Sequence, residues 1–284
     1  MISALNKLPD GTIELTITIP WQKVRVAYEQ TLNQFASEME IKGFRKGKAP
    51  LKIVEQNVDK NKVYEEALKK LIPQVYVEAV KEHKAKPIIN PEIKILKLEE
   101  GKDWQIQAVT CELPEIKLGD YQAEVRKALA VEKIWTPGKA KETPAAVSQE
   151  GKTGQIFKAL LENVKFELPK ILIDHEVNQM LSRLIDQTSQ VGLTIEQYLT
   201  SVKKTNEQLQ NEYRKQAQQT LRLEFILAKI ADEEKIIISD AEIEKMIAAV
   251  PDEKTKEGLK SPQQQEYIKQ ILRKRKIIDN LLKL

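Results

Sequence analysis

The sequence is short of several things, and each shortage narrows what the chain can be. It has one cysteine, Cys111, so no disulfide framework can form within it, and a reducing cytosol suits it. Its two histidines, His83 and His175, lie far apart on helix-like stretches, so no metal ligand set is expected. Glycine is scarce, at 10 in 284 residues, which favours helices over a loop-rich fold. Aromatic residues make up only 5% of the chain, which points to thin layers and a high share of surface rather than one large core. No apolar run approaches the roughly 18 to 20 residues that span a bilayer. The start M-I-S-A-L-N-K-L-P-D lacks the basic and apolar regions of a secretory leader. A cytoplasmic location with no membrane partner is therefore expected. The G-K-T-G at Gly151–Gly154 lacks the upstream glycine and the preceding buried strand of a phosphate loop, so no nucleotide or other cofactor is expected.

What the sequence does have is periodicity. Thr12 to Ile19, T-I-E-L-T-I-T-I, alternates strictly and reads as a strand with one buried face. Pro20 suits a helix start, and Val24, Tyr28, Leu32, Phe35 and Met39 recur at helical spacing up to Glu40. Pro50 opens a short helix, and a longer one runs from about Asn61 to His83. Strands near Glu92–Leu98 and Asp103–Leu113 follow; the apolar phase slips by one in each, which predicts a β-bulge. Cys111 falls on this second strand as a small core residue. The N-terminal part is thus an α+β domain over 1–118.

A short helical stretch is expected from Tyr121 to Ile134, and the Pro- and Gly-bearing run Trp135–Gly154 reads as a linker. Residues 119–154 together separate the first domain from an extended all-α region over 155–284. Thr194 with Gln197, and Ser239 with Glu242, fit capping boxes. In the first half of the helix Asn206–Ala231, Leu209, Tyr213, Ala217 and Leu221 form a stripe too narrow to be surrounded by protein. The run Arg273-Lys274-Arg275-Lys276 reads by default as a solvated helix face.

One stretch stands apart. Gly43 to Pro50, G-F-R-K-G-K-A-P, sets Phe44 among Arg45, Lys46 and Lys48, with Lys42 and Lys52 close by and no acid between Ile41 and Val54. The whole chain carries a net charge of only +4, so this excess is local. Glycine permits sharp turns, cations attract phosphate over a Debye length of roughly 8 to 10 Å, and arginine can fork onto phosphate or carboxylate. Phe44 needs a pocket, since burying it is worth about 1.5–3 kcal/mol. On charge alone, a solvated basic turn with Phe44 folded back onto its own helices stays open.

The stretch resembles the ribosome-docking loop of trigger factor, the bacterial chaperone that meets nascent chains at the exit tunnel. The resemblance extends through T-I-T-I-P, Y-E-E-A-L-K-K-L-I-P (Tyr64–Pro73), N-P-E-I (Asn90–Ile93) and L-P-E-I-K-L-G-D-Y (Leu113–Tyr121). Phe166–Leu181 is similar, less specifically, to the start of the family's chaperone arms, so a SurA-like helical C-terminal domain is implied. The resemblance implies an ATP-independent holdase that assists protein folding and transport. Its partners would be the large ribosomal subunit, through an exit-site protein and rRNA, and unfolded or nascent polypeptides; homodimerisation of the free chain is also expected. Gly43, Phe44, Arg45, Lys46, Gly47, Lys48 and Pro50 would form the ribosome contact. Tyr198, Leu199, Val202, Leu209, Tyr213, Ile243, Met246 and Ile247 are candidate client contacts, with ordinary helix packing as the competing reading. Family members usually carry a prolyl isomerase domain of the FK506-binding type between these parts. Tyr121–Gly154 leaves too little chain for one, so no catalytic residue is expected. The alternatives are an active isomerase and a SurA-like envelope chaperone.

Overall fold

Alternation from Thr12 to Ile19 produces strand β2, which buries Ile13, Leu15, Ile17 and Ile19 on one face. The computed structural model describes residues 2–41, 44–130 and 149–284, apart from the side chains of residues 149, 150, 253 and 254. The chain divides into two units, Met1–Pro114 with Pro169–Leu172, and Glu115–Leu168 with Ile173–Leu284.

In the first unit, strand β1 (Ile2–Lys7) pairs with β2 in an antiparallel hairpin. Its turn is fixed by Gly11 at φ 87° and by the Asp10 carboxylate, which accepts the Thr12 N–H at 2.9 Å. Strand β4 (Trp104–Cys111) pairs with the other side of β2, and β3 (Glu92–Lys97) pairs with β4. The order is β1-β2-β4-β3. Leu15 stands opposite Ala108, Ile17 opposite Ile106 and Ile19 opposite Trp104, so these side chains share a face. Helices α1 (Trp21–Glu38) and α3 (Lys60–Glu82), flanking the short α2 (Leu51–Asn57), cover that face with Val24, Leu68, Leu71, Val75 and Ala79.

The expected bulge lies in β3, where the register shifts between Ile95 and Lys97 and leaves Leu96 as the extra residue. β4 carries no slip against β2; its change of phase reflects burial on both faces from Ala108 to Cys111. Burial pushes the Cys111 thiol up to about 11, which fits an unreactive core residue. His83 caps the end of α3 and shares a hydrogen bond of 2.9 Å with the Ser3 hydroxyl.

The second unit contains α4 (Tyr121–Ala130), α5 (Gln149–Asn163), α6 (Lys170–Gln190) from Ile173 onward, α7 (Ile195–Ser201) and α8 (Asn206–Glu233). It closes with α9 (Asp240–Ala248), α10 (Glu253–Leu259) and α11 (Pro262–Leu281). Tyr121 and Val125 of α4, Ile156 and Leu160 of α5, Ile226 and Ile230 of α8, Ile243 and Ile247 of α9, and Ile277 and Leu281 of α11 form one core. The short helix expected from Tyr121 is present as α4, which has an apolar face to bury. The end of the expected linker is helical, since α5 begins before Gly151; the two glycines of G-K-T-G lie inside a helix rather than in an anion-binding turn. The rest of the expected linker, 135–148 with Trp135, and the last four residues of the expected helix, 131–134, lie outside the described residues.

Both capping boxes form, and Thr205 with Gln208 makes a third at the start of α8. In the first half of α8, Leu209, Ala217 and Leu221 are buried while the surrounding glutamines stay exposed. Arg214 there holds Asp174 of α6 at 2.8 Å.

Candidate docking site

The candidate docking tip spans the turn from the end of α1 into α2. Its two legs are anchored. Ile41 and Ala49 pack onto a small cluster of Tyr28 and Leu32 from α1, Val54 from α2 and Val63 from α3. The Tyr28 hydroxyl donates to Glu55 at 3.2 Å, which ties α1 to α2. Burial and, after it, the Glu55 charge push that hydroxyl up to about 12. Four rings connect this cluster to the sheet core: Trp21 to Trp104 at 6.3 Å, Trp104 to Tyr64 at 5.4 Å, and Tyr64 to Tyr28 at 4.6 Å between centroids. Two of these rings, Tyr28 and Tyr64, belong to the cluster at the base of the loop, and the other two belong to the sheet core.

Between the anchored legs the residues are displayed. Phe44 keeps 40% of its surface in solvent, and Arg45, Lys46, Gly47, Lys48 and Pro50 are exposed. The turn is closed by the Phe44 N–H to the Ile41 carbonyl at 3.0 Å and the Lys48 N–H to the Arg45 carbonyl at 2.9 Å. Gly47 adopts φ 77°, a conformation that a side chain would strain. Pro50 then starts α2, its carbonyl accepting from Ile53 and Val54. Gly43 lies outside the described residues.

Among the described residues, Arg45, Lys46, Lys48 and Lys52 pair with no carboxylate. Four cations in eight residues repel one another, and among the described residues no ion pair offsets that repulsion. Such a tip can bind an anionic surface without first breaking internal ion pairs, and it presents an apolar ring at the same place.

The candidate client contacts are not brought together as one surface. Leu209, Ile243 and Ile247 are buried, the last two in the main core of the second unit, so they are packing residues. Their stripes looked thin in sequence because the partners that cover them come from distant helices. Tyr198, Leu199 and Tyr213 are half-buried, while Val202 and Met246 are exposed at 37% and 38%. Sequence periodicity missed a group around the α6–α7 turn, where Ile185, Val191 and Leu193 are exposed. Helical spacing alone would put Ile185 beside the buried Leu184 of α6, and the other two sit in a turn that has no period to read.

The run Arg273–Lys276 faces solvent as expected, and three of its cations are also engaged by surface partners. Arg273 pairs with Asp232 at 2.6 Å and donates to the Ile236 carbonyl; Lys274 pairs with Glu224; Lys276 reaches Glu242 at 3.1 Å. Among the described residues no group of three or more His, Cys, Asp or Glu side chains could hold a metal ion, and no helix is long and apolar enough to cross a membrane.

The architecture is that of a two-unit protein: an α+β unit that displays a cationic, aromatic-bearing tip, and an all-α unit with exposed apolar residues at helix turns. Comparison with known proteins places it more closely. Residues 1–135 match the family model of the bacterial trigger factor protein, and residues 139–283 match the model of its C-terminus. The chain belongs to the bacterial trigger factor family. It is 39% identical over 119 residues to trigger factors of Staphylococcus aureus strains JH9 and Newman. That stretch is 42% of this chain and only 26% of those relatives' length. A solved structure from work on promiscuous substrate recognition in folding and assembly by the trigger factor chaperone shares the fold. It has a TM-score of 0.69 at 13% identity, and the match covers 100% of this chain and 99% of that one.

Proposed function

We propose that this chain is an ATP-independent chaperone of the bacterial cytoplasm. In this reading it docks on the large ribosomal subunit beside the exit tunnel through Gly43–Pro50 and holds nascent or unfolded polypeptide during folding or export. The observation that carries the reading is the displayed Phe44 amid four cations that no carboxylate neutralises. An exit-site protein would take the ring, worth about 1.5–3 kcal/mol on burial, and rRNA phosphates would take the cations. Without a nucleotide step, clients leave because each contact is weak. The contacts available for them are Tyr198, Leu199, Val202, Tyr213 and Met246, with Ile185, Val191 and Leu193 added by their exposure.

Isomerase activity is not part of this reading. Only residues 136–138 separate the two stretches that match the family models, whereas a domain of the FK506-binding type needs on the order of a hundred residues. The docking reading is tested by cosedimentation with purified bacterial ribosomes. Replacing Phe44, Arg45 and Lys46 together by alanine is expected to abolish pelleting and leave the circular dichroism spectrum and melting temperature unchanged. Full pelleting of the triple variant would remove the reading.

A further inference from the structure

The displayed surface does not stop at Pro50. Leu51, the first residue of α2, leaves 39% of its surface in solvent, nearly as much as Phe44, and Lys52 beside it is exposed. The orientation of α2 explains both. Val54 is fully buried under the loop, and at 100° per residue Leu51 then lies about 60° around the helix from it, at the rim of the buried stripe, while Lys52 lies about 160° away, facing out. The Pro50 carbonyl, accepting from Ile53 at 2.9 Å and Val54 at 3.1 Å, fixes this first turn. A leucine at such a place contributes little to the core and carries an apolar edge into water, directly after a run of unpaired cations.

We infer that Leu51 and Lys52 form a second contact with the same ribosomal surface that takes Phe44 and Arg45, Leu51 against an apolar patch and Lys52 against a phosphate. This rests on the docking reading above. An apolar client segment would gain nothing from four uncompensated cations, and bare nucleic acid would gain nothing from two exposed apolar side chains. A ribonucleoprotein surface uses both. The contact has two parts of different character: a turn that carries Phe44, and the first turn of a helix that carries Leu51. The second part would set the angle at which the first unit stands on its target.

The two residues predict different signatures. Binding of the labelled full-length chain to purified ribosomes is measured between 50 and 200 mM salt for Leu51→Ser, Lys52→Gln and the Phe44/Arg45/Lys46 alanine triple, on the order of the range over which phosphate contacts are lost. Leu51→Ser is expected to weaken binding about three- to tenfold at every salt concentration without changing the salt slope. Lys52→Gln is expected to lower the slope of log K against log salt by about 0.7–0.9, the loss of one phosphate contact. Leu51→Met should bind like the unaltered chain; if Leu51→Ser lowers the melting temperature, Lys52→Gln alone decides. If both single variants match the unaltered chain at every salt concentration while the triple variant has lost binding, the inference is wrong and the docking reading stands. If the triple variant still binds, the docking reading fails and takes this inference with it.

Discussion

Two basic runs of four cations each, Arg273–Lys276 and Phe44–Lys52, sit in the two units, and the structure treats them oppositely. In Arg273–Lys276, three of the four cations reach carboxylates or carbonyls on α8, α9 and the turn between them, so the run fastens α11 to its neighbours. In Phe44–Lys52, none of the described cations has a carboxylate partner, and the loop is held instead by Ile41 and Ala49 at its base. Charge thus stabilises the fold in one place and is kept available in the other. What separates them is the supply of acids. Asp232, Glu224 and Glu242 lie 34 to 50 residues from their partners in sequence, whereas among the described residues no carboxylate pairs with a cation of the α1–α2 turn.

The comparison is broken or sharpened by reversing charge in each run. Arg273→Glu with Lys274→Glu places like charges beside Asp232 and Glu224 and is expected to cost the second unit roughly 1–2 kcal/mol in urea denaturation. Arg45→Glu with Lys46→Glu should change stability by no more than about 0.5 kcal/mol, because nothing internal is lost. Equal losses in the two variants would mean that the tip is also part of the packing.

A smaller effect concerns an acid of the first unit that is fully engaged. Glu112 accepts from the Lys7 ammonium at 2.7 Å and the Lys86 N–H at 2.8 Å, joining the end of β1 to the chain entering β3. The Lys7 hydrogen bond first, then that of Lys86, holds its carboxyl below the ordinary 4.5. A lowered folded value means that the contribution is full above pH 4.5 and is lost as pH falls through the folded value. Glu112→Gln is expected to cost about 1 kcal/mol at neutral pH and to flatten the acid limb of the stability profile. An unchanged acid limb would show that Glu112 is not the group responsible.

The smallest effect should be a gain. Lys84, Lys203 and Lys235 end α3, α7 and α8 with φ of 52°, 54° and 51°, in the left-handed conformation that glycine adopts without strain. At the last of these, the Ile236 N–H closes onto the Ala231 carbonyl at 2.9 Å. Lys235→Gly is expected to raise stability by about 0.5–1 kcal/mol, seen as a small upward shift in the melting temperature.

The sequence revealed most where a period repeats. Alternation located β2, helical periodicity located α1, α3 and α8, and Ser/Thr followed by Gln/Glu located the starts of α7 and α9. β1 went unread because an edge strand with only Ser3 and Leu5 half-buried has no apolar alternation; its hydrogen bonds to β2 define it. The helical start of α5 was hidden by Gly151 and Gly154, whose low propensity is outweighed by burial of Ile156 and Leu160 downstream. At the candidate site, the sequence showed the unusual charge of the loop but not the exposure of Leu51, which follows from the rotation of α2 set by Val54. It also could not separate Ile243 and Ile247 from Met246, because burial depends on which distant helix lies over each.

The most direct test of the account replaces Phe44 by the photoreactive analogue p-benzoylphenylalanine and irradiates the chain on purified ribosomes. The account predicts crosslinks to large-subunit components at the tunnel exit that disappear when Arg45 and Lys46 are changed to alanine. Crosslinks formed only within the chain itself, with ribosomes present in excess, would contradict it.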